Sequence, residues 1–218
     1  SLPFAHYLAM VRGGWRSLLN DPQVRWFLIL AVGLVLLLIW HLMQTGLGFG
    51  EAVRQASFNG VSIMTGTGYV SANFSAWGGF ATTILLIVMF IGGCGGSTTC
   101  GIKVFRLQVL ASTAKVQISR LLRPHAVVLA YYNKRPVSVE VMDSVMGFFY
   151  LFILGFVLIA IMLGMAGLDF VTALSGAATS ISNVGPGLGE VIGADGNFST
   201  LPDSAKWIMS FAMLLGRL

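Results

Sequence analysis

Charge is scarce in this chain. Asp, Glu, Lys and Arg make up only 10% of its 218 residues, whereas 56% are hydrophobic and the mean hydropathy is +0.84. Soluble domains carry about a quarter charged residues, so this composition excludes an ordinary soluble fold and points to an integral membrane protein. The net charge of +5 does not make it a nucleic-acid binder, because of where the charges fall. Arg106, Lys115, Arg120, Arg123, Lys134 and Arg135 flank one loop, and Arg12, Arg16 and Arg25 precede the first apolar run. Asp169, Glu190, Asp195 and Asp203 share a stretch of opposite side with Lys206. Basic residues collect on the cytoplasmic side of membrane proteins, so both basic regions are expected there. Cysteine is equally sparse. Cys94 and Cys100 supply neither a disulfide framework nor a complete zinc site and read as reduced structural thiols. His6 and His41 read as interfacial residues and His125 as part of the basic loop, none with metal-ligand neighbours.

The apolar runs are interrupted in a regular way. Val24 to about Met43 forms a first span, opened by Asp21-Pro22 as N-cap and first helical residue and closed by Gly46 and Gly48. "GEAVRQASFNGVSIM" (Gly50 to Met64) is too polar and short to cross, and reads as a helix that enters the membrane and returns at Thr65. Gly78 to Ile91 is apolar again, breaks at "GGCGGSTTCG" (Gly92 to Gly101), and resumes toward Leu122. After a basic loop with Pro124 and Pro136 the order starts over. Val139 to Met165 is a span, Asp169 to Ile181 a short semi-polar segment, Ser182 to Gly187 a glycine loop, and a last apolar segment starts near Ser204.

The halves align. Ala173, Ile181, Ser182 and Gly185 each lie 117 residues beyond Ala56, Met64, Thr65 and Gly68. Asn197, Met213 and Gly216 lie 124 beyond Asn73, Met89 and Gly92, as a seven-residue insertion in the second outer loop would require. An ordered series of this kind marks an internal repeat of span, re-entrant helix, glycine loop and span. It also accounts for the doubled "NFS", which as a glycosylation sequon would be coincidental. The expected organisation is a lead-in over 1–23, a first unit over 24–122, a basic cytoplasmic loop over 123–138, and a second unit over 139–218. The chain opens "SLPFAHYLAM" and ends "FAMLLGRL" within an apolar run, so we expect a piece of a longer protein.

Irregular backbone at membrane depth is tolerated only where protein buries it or it lines a watery cavity. A short helix ending at such a loop directs its carbonyl end, with partial negative charge, at the membrane centre and favours a cation. Glycine then lets successive carbonyls turn toward an axis, as in the carbonyl rings of potassium filters. Phosphate binding fits worse. Gly96 and Gly101 have P-loop spacing, but Lys103 comes one position late with no Ser or Thr after it. Neither Gly46-Leu47-Gly48 nor Gly185-Pro186-Gly187 completes a dinucleotide fingerprint. Close helix packing through small residues is the plainer alternative for any single glycine.

"SIMTGTGYVSANFSAWGGF", "GGCGGSTTCGIKVFR", "SNVGPG" and "MLLGR" together resemble the TrkH-type subunit of the Trk/Ktr/HKT potassium transporters, over essentially the whole chain. The resemblance implies an all-α integral membrane fold in which four span–pore helix–span repeats surround one pore, with this chain supplying the third and fourth. It implies filter quarters at Thr65, Gly66, Thr67, Gly68 and Tyr69 and at Ser182, Asn183, Val184, Gly185 and Pro186. It implies a mobile gating loop over Gly92, Gly93, Gly95, Gly96, Ser97, Thr98, Thr99 and Gly101, although Thr99 and Cys100 depart from the commonest glycine-rich pattern. Arg217, matching Gly93, would face the pore near that loop; snorkelling at a helix end is the alternative. K⁺ would be the transported ion, with no organic cofactor and no enzymatic chemistry. Partners would be the lipid bilayer of a bacterial cytoplasmic membrane, the remaining repeats, a second subunit in a homodimer, and a TrkA-like nucleotide-binding regulatory subunit on the basic face from Arg106 to Arg135. Two rivals stand beside this reading. A sodium-permeable or sodium-coupled relative is disfavoured by glycine in place of serine at 68 and 185. A non-conducting membrane scaffold would be expected to tolerate Gly68→Ser.

Overall fold

The computed structural model describes residues 1–11, 20–123, 129–133 and 135–217. Arg12, Arg16, Pro124, His125 and Lys134, named above among the basic regions, lie outside these. In chain order the described elements begin with α1 (Phe4–Val11), α2 (Pro22–Gln44) and α3 (Phe49–Met64). A 3₁₀ turn (Phe74–Trp77), α4 (Gly79–Met89) and α5 (Val104–Leu122) follow. Strands β1 (Tyr131–Tyr132) and β2 (Arg135–Pro136) precede α6 (Val139–Met165) and α7 (Phe170–Ser182). The chain closes with α8 (Gly189–Ile192), a second 3₁₀ turn (Phe198–Thr200) and α9 (Asp203–Arg217).

Among the described residues, α2 and α6 are long and apolar enough to cross a membrane, at mean hydropathies of 2.5 and 2.7. Only 22% and 17% of their spanning windows are buried, and Trp26, Ile29, Trp40, Tyr150 and Ile153 point outward. A helix apolar all round with most of its surface uncovered suits lipid, not water. α2 starts as its sequence dictates. The Asp21 carboxylate accepts from Gln23 N at 2.7 Å, and Pro22 gives up no hydrogen bond at the first helical position. His41, expected at the interface, ties α2 to the turn before α4. Its Nε2 donates to the Trp77 carbonyl at 2.7 Å, and its ring lies 4.9 Å from that of Phe80. His6 Nε2 lies 2.8 Å from Asp21 Oδ2.

Each unit packs its span along its short helix, α2 on α3 and α6 on α7, with α9 completing the second. Two cores result. Leu38, Leu42, Ile63, Met64 and Leu85 fill the first, and Ile159, Leu163, Ile181, Met209 and Ala212 the second. Phe90 joins them, its ring 4.9 Å from Phe156 and 6.0 Å from Phe152, both edge-on.

The duplication extends to geometry. Asn73 and Asn197 each cap a 3₁₀ turn by accepting from Ser75 N and Ser199 N. Gly46 and Gly167 both end a span at φ +92. Buried Val24, Leu38 and Leu42 correspond to buried Val145, Ile159 and Leu163, a register of 121 residues. The same register is marked in the sequence just past the spans, where Gly46, Leu47 and Phe49 recur as Gly167, Leu168 and Phe170. The four-residue shift from 121 to 117 falls early in the short helices, between Phe49, matched to Phe170, and Ala56, matched to Ala173.

Described residues of the basic segment form a short two-stranded ladder. β1 and β2 pair antiparallel, Tyr131 with Pro136 and Tyr132 with Arg135. Ser112 of α5 clips the hairpin, donating to the Tyr131 carbonyl at 3.0 Å and accepting from Tyr131 N at 3.1 Å.

α7 begins with Asp169, whose carboxylate accepts from Thr172 N at 3.1 Å. Hydrogen bonds from Thr172, the side chain foremost, hold the Asp169 carboxyl below its ordinary range. A group depressed in the folded state stabilises fully above its unfolded titration range, and that contribution fades as pH falls through the lowered value. Asp169→Ala should therefore cost about 1 kcal/mol near neutrality and less in acid. Asp169→Asn, which keeps an acceptor, should flatten that pH dependence in thermal unfolding.

Candidate functional site

The two short helices end at one cavity, lined by their C-cap residues Thr65 and Asn183, and the loops after them are built alike. Thr67 N donates to the Ser62 carbonyl at 3.0 Å, and Val184 N donates to the Thr179 carbonyl at 3.0 Å. These donors and acceptors are all related by the 117-residue register. Left-handed backbone recurs at matched positions too, with φ +65 at Gly66 and +52 at Asn183, then +76 at Gly68 and +113 at Gly185. Gly66 and Asn183 look unlike in sequence, yet glycine and asparagine are the residues that most readily take this conformation after a helix.

Side chains not singled out from the sequence hold the loops from behind. Asn59 is fully buried; its amide oxygen accepts from Ser71 N at 3.0 Å, and its Nδ2 donates to Ser71 Oγ at 3.1 Å. Ser62 Oγ donates to the Tyr69 carbonyl at 2.7 Å, so that oxygen is engaged with the protein. In the second unit Thr179 Oγ1 accepts from Gly185 N at 3.0 Å. Ser175 Oγ accepts from Leu188 N at 3.0 Å and donates to its carbonyl at 3.2 Å. The signal was available in part: Asn59, Ser62, Ser175 and Thr179 are polar residues on the buried faces of the two short helices.

The loops touch. The nearest heavy atom to a Cβ built on Gly185 is the Gly68 Cα, at 3.6 Å. A Cβ on Gly68 would run into the Val184 carbonyl and meet Pro186 Cδ at 3.2 Å. This corrects one expectation. Gly68→Ser is opposed by packing and by the left-handed φ whatever the loop does, so a scaffold would not tolerate it either. Tyr69 closes its loop with a side chain 72% exposed. Ser182 Oγ is buried without a hydrogen-bond partner among the described residues, and the Asn183 amide donates to the Met213 carbonyl at 3.1 Å, tying the second loop to α9.

Below the loops lies the glycine-rich break. Its neck is a parallel bridge between Ile91 and Ile102, with Gly92 N donating to the Ile102 carbonyl and Ile102 N to the Phe90 carbonyl, each at 2.9 Å. At its tip Ser97 Oγ donates to the Cys94 carbonyl at 2.7 Å, and Gln23 of α2 accepts from Gly95 N at 2.7 Å. The lead-in reaches this place as well. Ser1 Oγ lies 2.9 Å from Thr99 Oγ1, the Ser1 carbonyl accepts from Cys94 N, and Phe4 N donates to the Gly96 carbonyl.

A cavity of about 500 Å³ separates loops from break, lined by Thr65, Gly66, Thr67 and Asn183 above and by Thr98 to Cys100 below. A second, of about 840 Å³, lies beyond the break against Phe148 to Leu158 of α6. Thr98, Thr99, Cys100 and Arg217 line both cavities and so form the wall between them. Arg217 Nη1 is 3.7 Å from Cys100 Sγ. The structure thus brings Thr65 to Thr67, Asn183, Thr98 to Cys100 and Arg217 around one space, with Gly95, Gly96 and Ser97 outside its lining. Gly68, Tyr69, Gly185 and Pro186 fall outside its lining, and Gly92 and Gly93 sit at the neck.

A family model described as "TrkH: Cation transport protein" matches residues 10–218. The Trk system potassium uptake protein TrkI of Halomonas elongata is 43% identical over 219 residues, covering all of this chain and 44% of that protein. TrkH of the same organism is 35% identical over 214 residues, 98% of this chain and 44% of the relative. The crystal structure of the potassium transporter TrkH from Vibrio parahaemolyticus superposes with a TM-score of 0.91 at 34% identity, covering 99% of this chain and 46% of that one. The chain spans less than half the length of these relatives, and it belongs to the TrkH family of membrane cation transport proteins.

Proposed function

We propose that this chain supplies two adjoining quarters of a potassium-selective pore through a bacterial cytoplasmic membrane, as the third and fourth repeats of a four-repeat subunit. The observation that carries the reading is the matched pair of loops. Each begins at a helix C-terminus, places left-handed residues at alternate positions, and is bonded to its helix from behind. Alternation of handedness aims successive carbonyls to one side, which is how a backbone replaces an ion's hydration shell. The two helix ends add negative potential at the same point. K⁺ sheds water at the outer mouth, is held by carbonyls from Gly66 to Gly68 and from Asn183 to Gly185, enters the cavity, and meets the wall formed by the break and Arg217. The engaged Tyr69 carbonyl takes no part in holding the ion. A membrane potential favours inward passage by about 2.3 kcal/mol per charge per 100 mV.

The wall is the gate in this reading. Five glycines between residues 92 and 101 each cost a helix about 1 kcal/mol relative to alanine, so the segment is free to rearrange without melting a helix. Arg217 sets a positive charge beside it and meters cations by repulsion. No bond is made or broken, so the chain is a conductor and not an enzyme. The family resemblance also supports a homodimer of whole subunits, with a nucleotide-binding regulator acting on the face carrying Arg106, Lys115, Arg120, Arg123 and Arg135.

Flux through the natural-length subunit in liposomes tests this, with K⁺ or Rb⁺ compared against Na⁺. Preference for K⁺ is expected. Ser62→Ala removes one hydrogen bond behind the filter and adds no atom. It should lower the K⁺/Na⁺ ratio several-fold, on the order of the roughly 1 kcal/mol such a bond contributes, with the protein still folded. Equal K⁺ and Na⁺ flux in the parent would make the glycines joints. Silence even with the regulator added would favour the scaffold.

A further inference from the structure

The break is crossed by a cation of the protein's own. Lys103, at the N-cap of α5, sends its ammonium back over the loop, where Nζ donates to the Ser97 carbonyl at 3.0 Å and to the Thr99 carbonyl. Nζ also lies 3.5 Å from Ser97 Oγ. The base of this side chain is fixed, because the next residue, Val104, is fully buried and its N–H donates to the Gly93 carbonyl at 3.1 Å. Ser97 and Thr99 flank Thr98, and all three stand among the residues lining the larger cavity. A loop this rich in glycine has few side chains to hold it, and carbonyls in apolar surroundings need donors. An ammonium offers three donors on a flexible stem and grips as a compact charge. While it does so, the carbonyls of Ser97 and Thr99 are not offered to a passing ion.

We propose that Lys103 is the latch of this loop: its ammonium holds the Ser97 and Thr99 carbonyls and keeps the loop across the path, and its release opens the path. The proposal rests on the pore reading for its consequence in transport, but the latch itself is testable without conduction. Cys100 on the loop is half-buried and Cys94 is fully buried, so a maleimide reports the loop's opening through Cys100. In the natural-length subunit, Lys103→Gln should raise the Cys100 labelling rate about tenfold, the shift expected when charge-assisted hydrogen bonds are lost. Lys103→Arg, which keeps charge and donors, should hold the rate near that of the parent. K⁺ flux should rise in Lys103→Gln with the K⁺/Na⁺ ratio unchanged, because the filter is untouched. An unchanged labelling rate in folded Lys103→Gln overturns the latch. So does failure of both Lys103→Gln and Lys103→Met to fold, since the ammonium would then be a folding staple. A parent that passes K⁺ and Na⁺ equally overturns the pore reading alone and leaves labelling to judge the latch.

Discussion

Irregular backbone placed among apolar helices must find its hydrogen bonds inside the protein, and the rest of this structure follows from how it does so. Ser62 and Thr179 each accept from the loop residue five positions on, Thr67 and Val184, both at 3.0 Å. That one bond turns the chain back toward the helix it has just left. A hydroxyl then secures the next turn, Ser62 Oγ on the Tyr69 carbonyl and Thr179 Oγ1 on Gly185 N. Lipid satisfies no leftover polar group, so a loop of this kind is either tied to protein or turned toward a watery cavity. The polar residues on the inner faces of α3 and α7 are the cost of keeping it.

The two units solve the same problem with different residues. Gly66 and Asn183 share a left-handed backbone although only one is a glycine. They diverge where the break lies. The first unit crosses the region with a glycine-rich loop closed at its neck, whereas the second brings Gly216 hard against the Ile181 carbonyl and sets Arg217 beside Cys100. A duplicated scaffold thus brings a glycine-rich loop from one unit and a charged side chain from the other into one wall beneath the paired loops.

Much of this was legible in the sequence. The run from Val139 to Met165 is the helix α6 residue for residue, and Asp21-Pro22 caps α2 as its chemistry requires. Those features are local, written in hydropathy and in capping side chains. The 117-residue register also survived, down to individual hydrogen bonds. What escaped were relations across the fold. Nothing in "NGVS" says that Asn59 reaches Ser71 or that Ser62 holds Tyr69, because the partners are set by how the loop returns. The register of the spans is hidden within the leucine-rich runs themselves and is marked only at their ends, where Gly46-Leu47 and Gly167-Leu168 recur. The hairpin on α5 depends on Ser112, far from the segment it clips. Beyond its left-handed backbone, the intolerance of Gly68 to a side chain comes from Val184 and Pro186 of the other unit, neighbours no local reading supplies.

In the proposed pore, carbonyls of these two loops hold a dehydrated potassium ion. Anomalous diffraction from crystals of the natural-length subunit grown in Rb⁺ tests it without reliance on gate or regulator. A Rb⁺ peak is expected on the pore axis level with Gly66 to Gly68 and Asn183 to Gly185. Rb⁺ found elsewhere, with no peak between the loops, would contradict it.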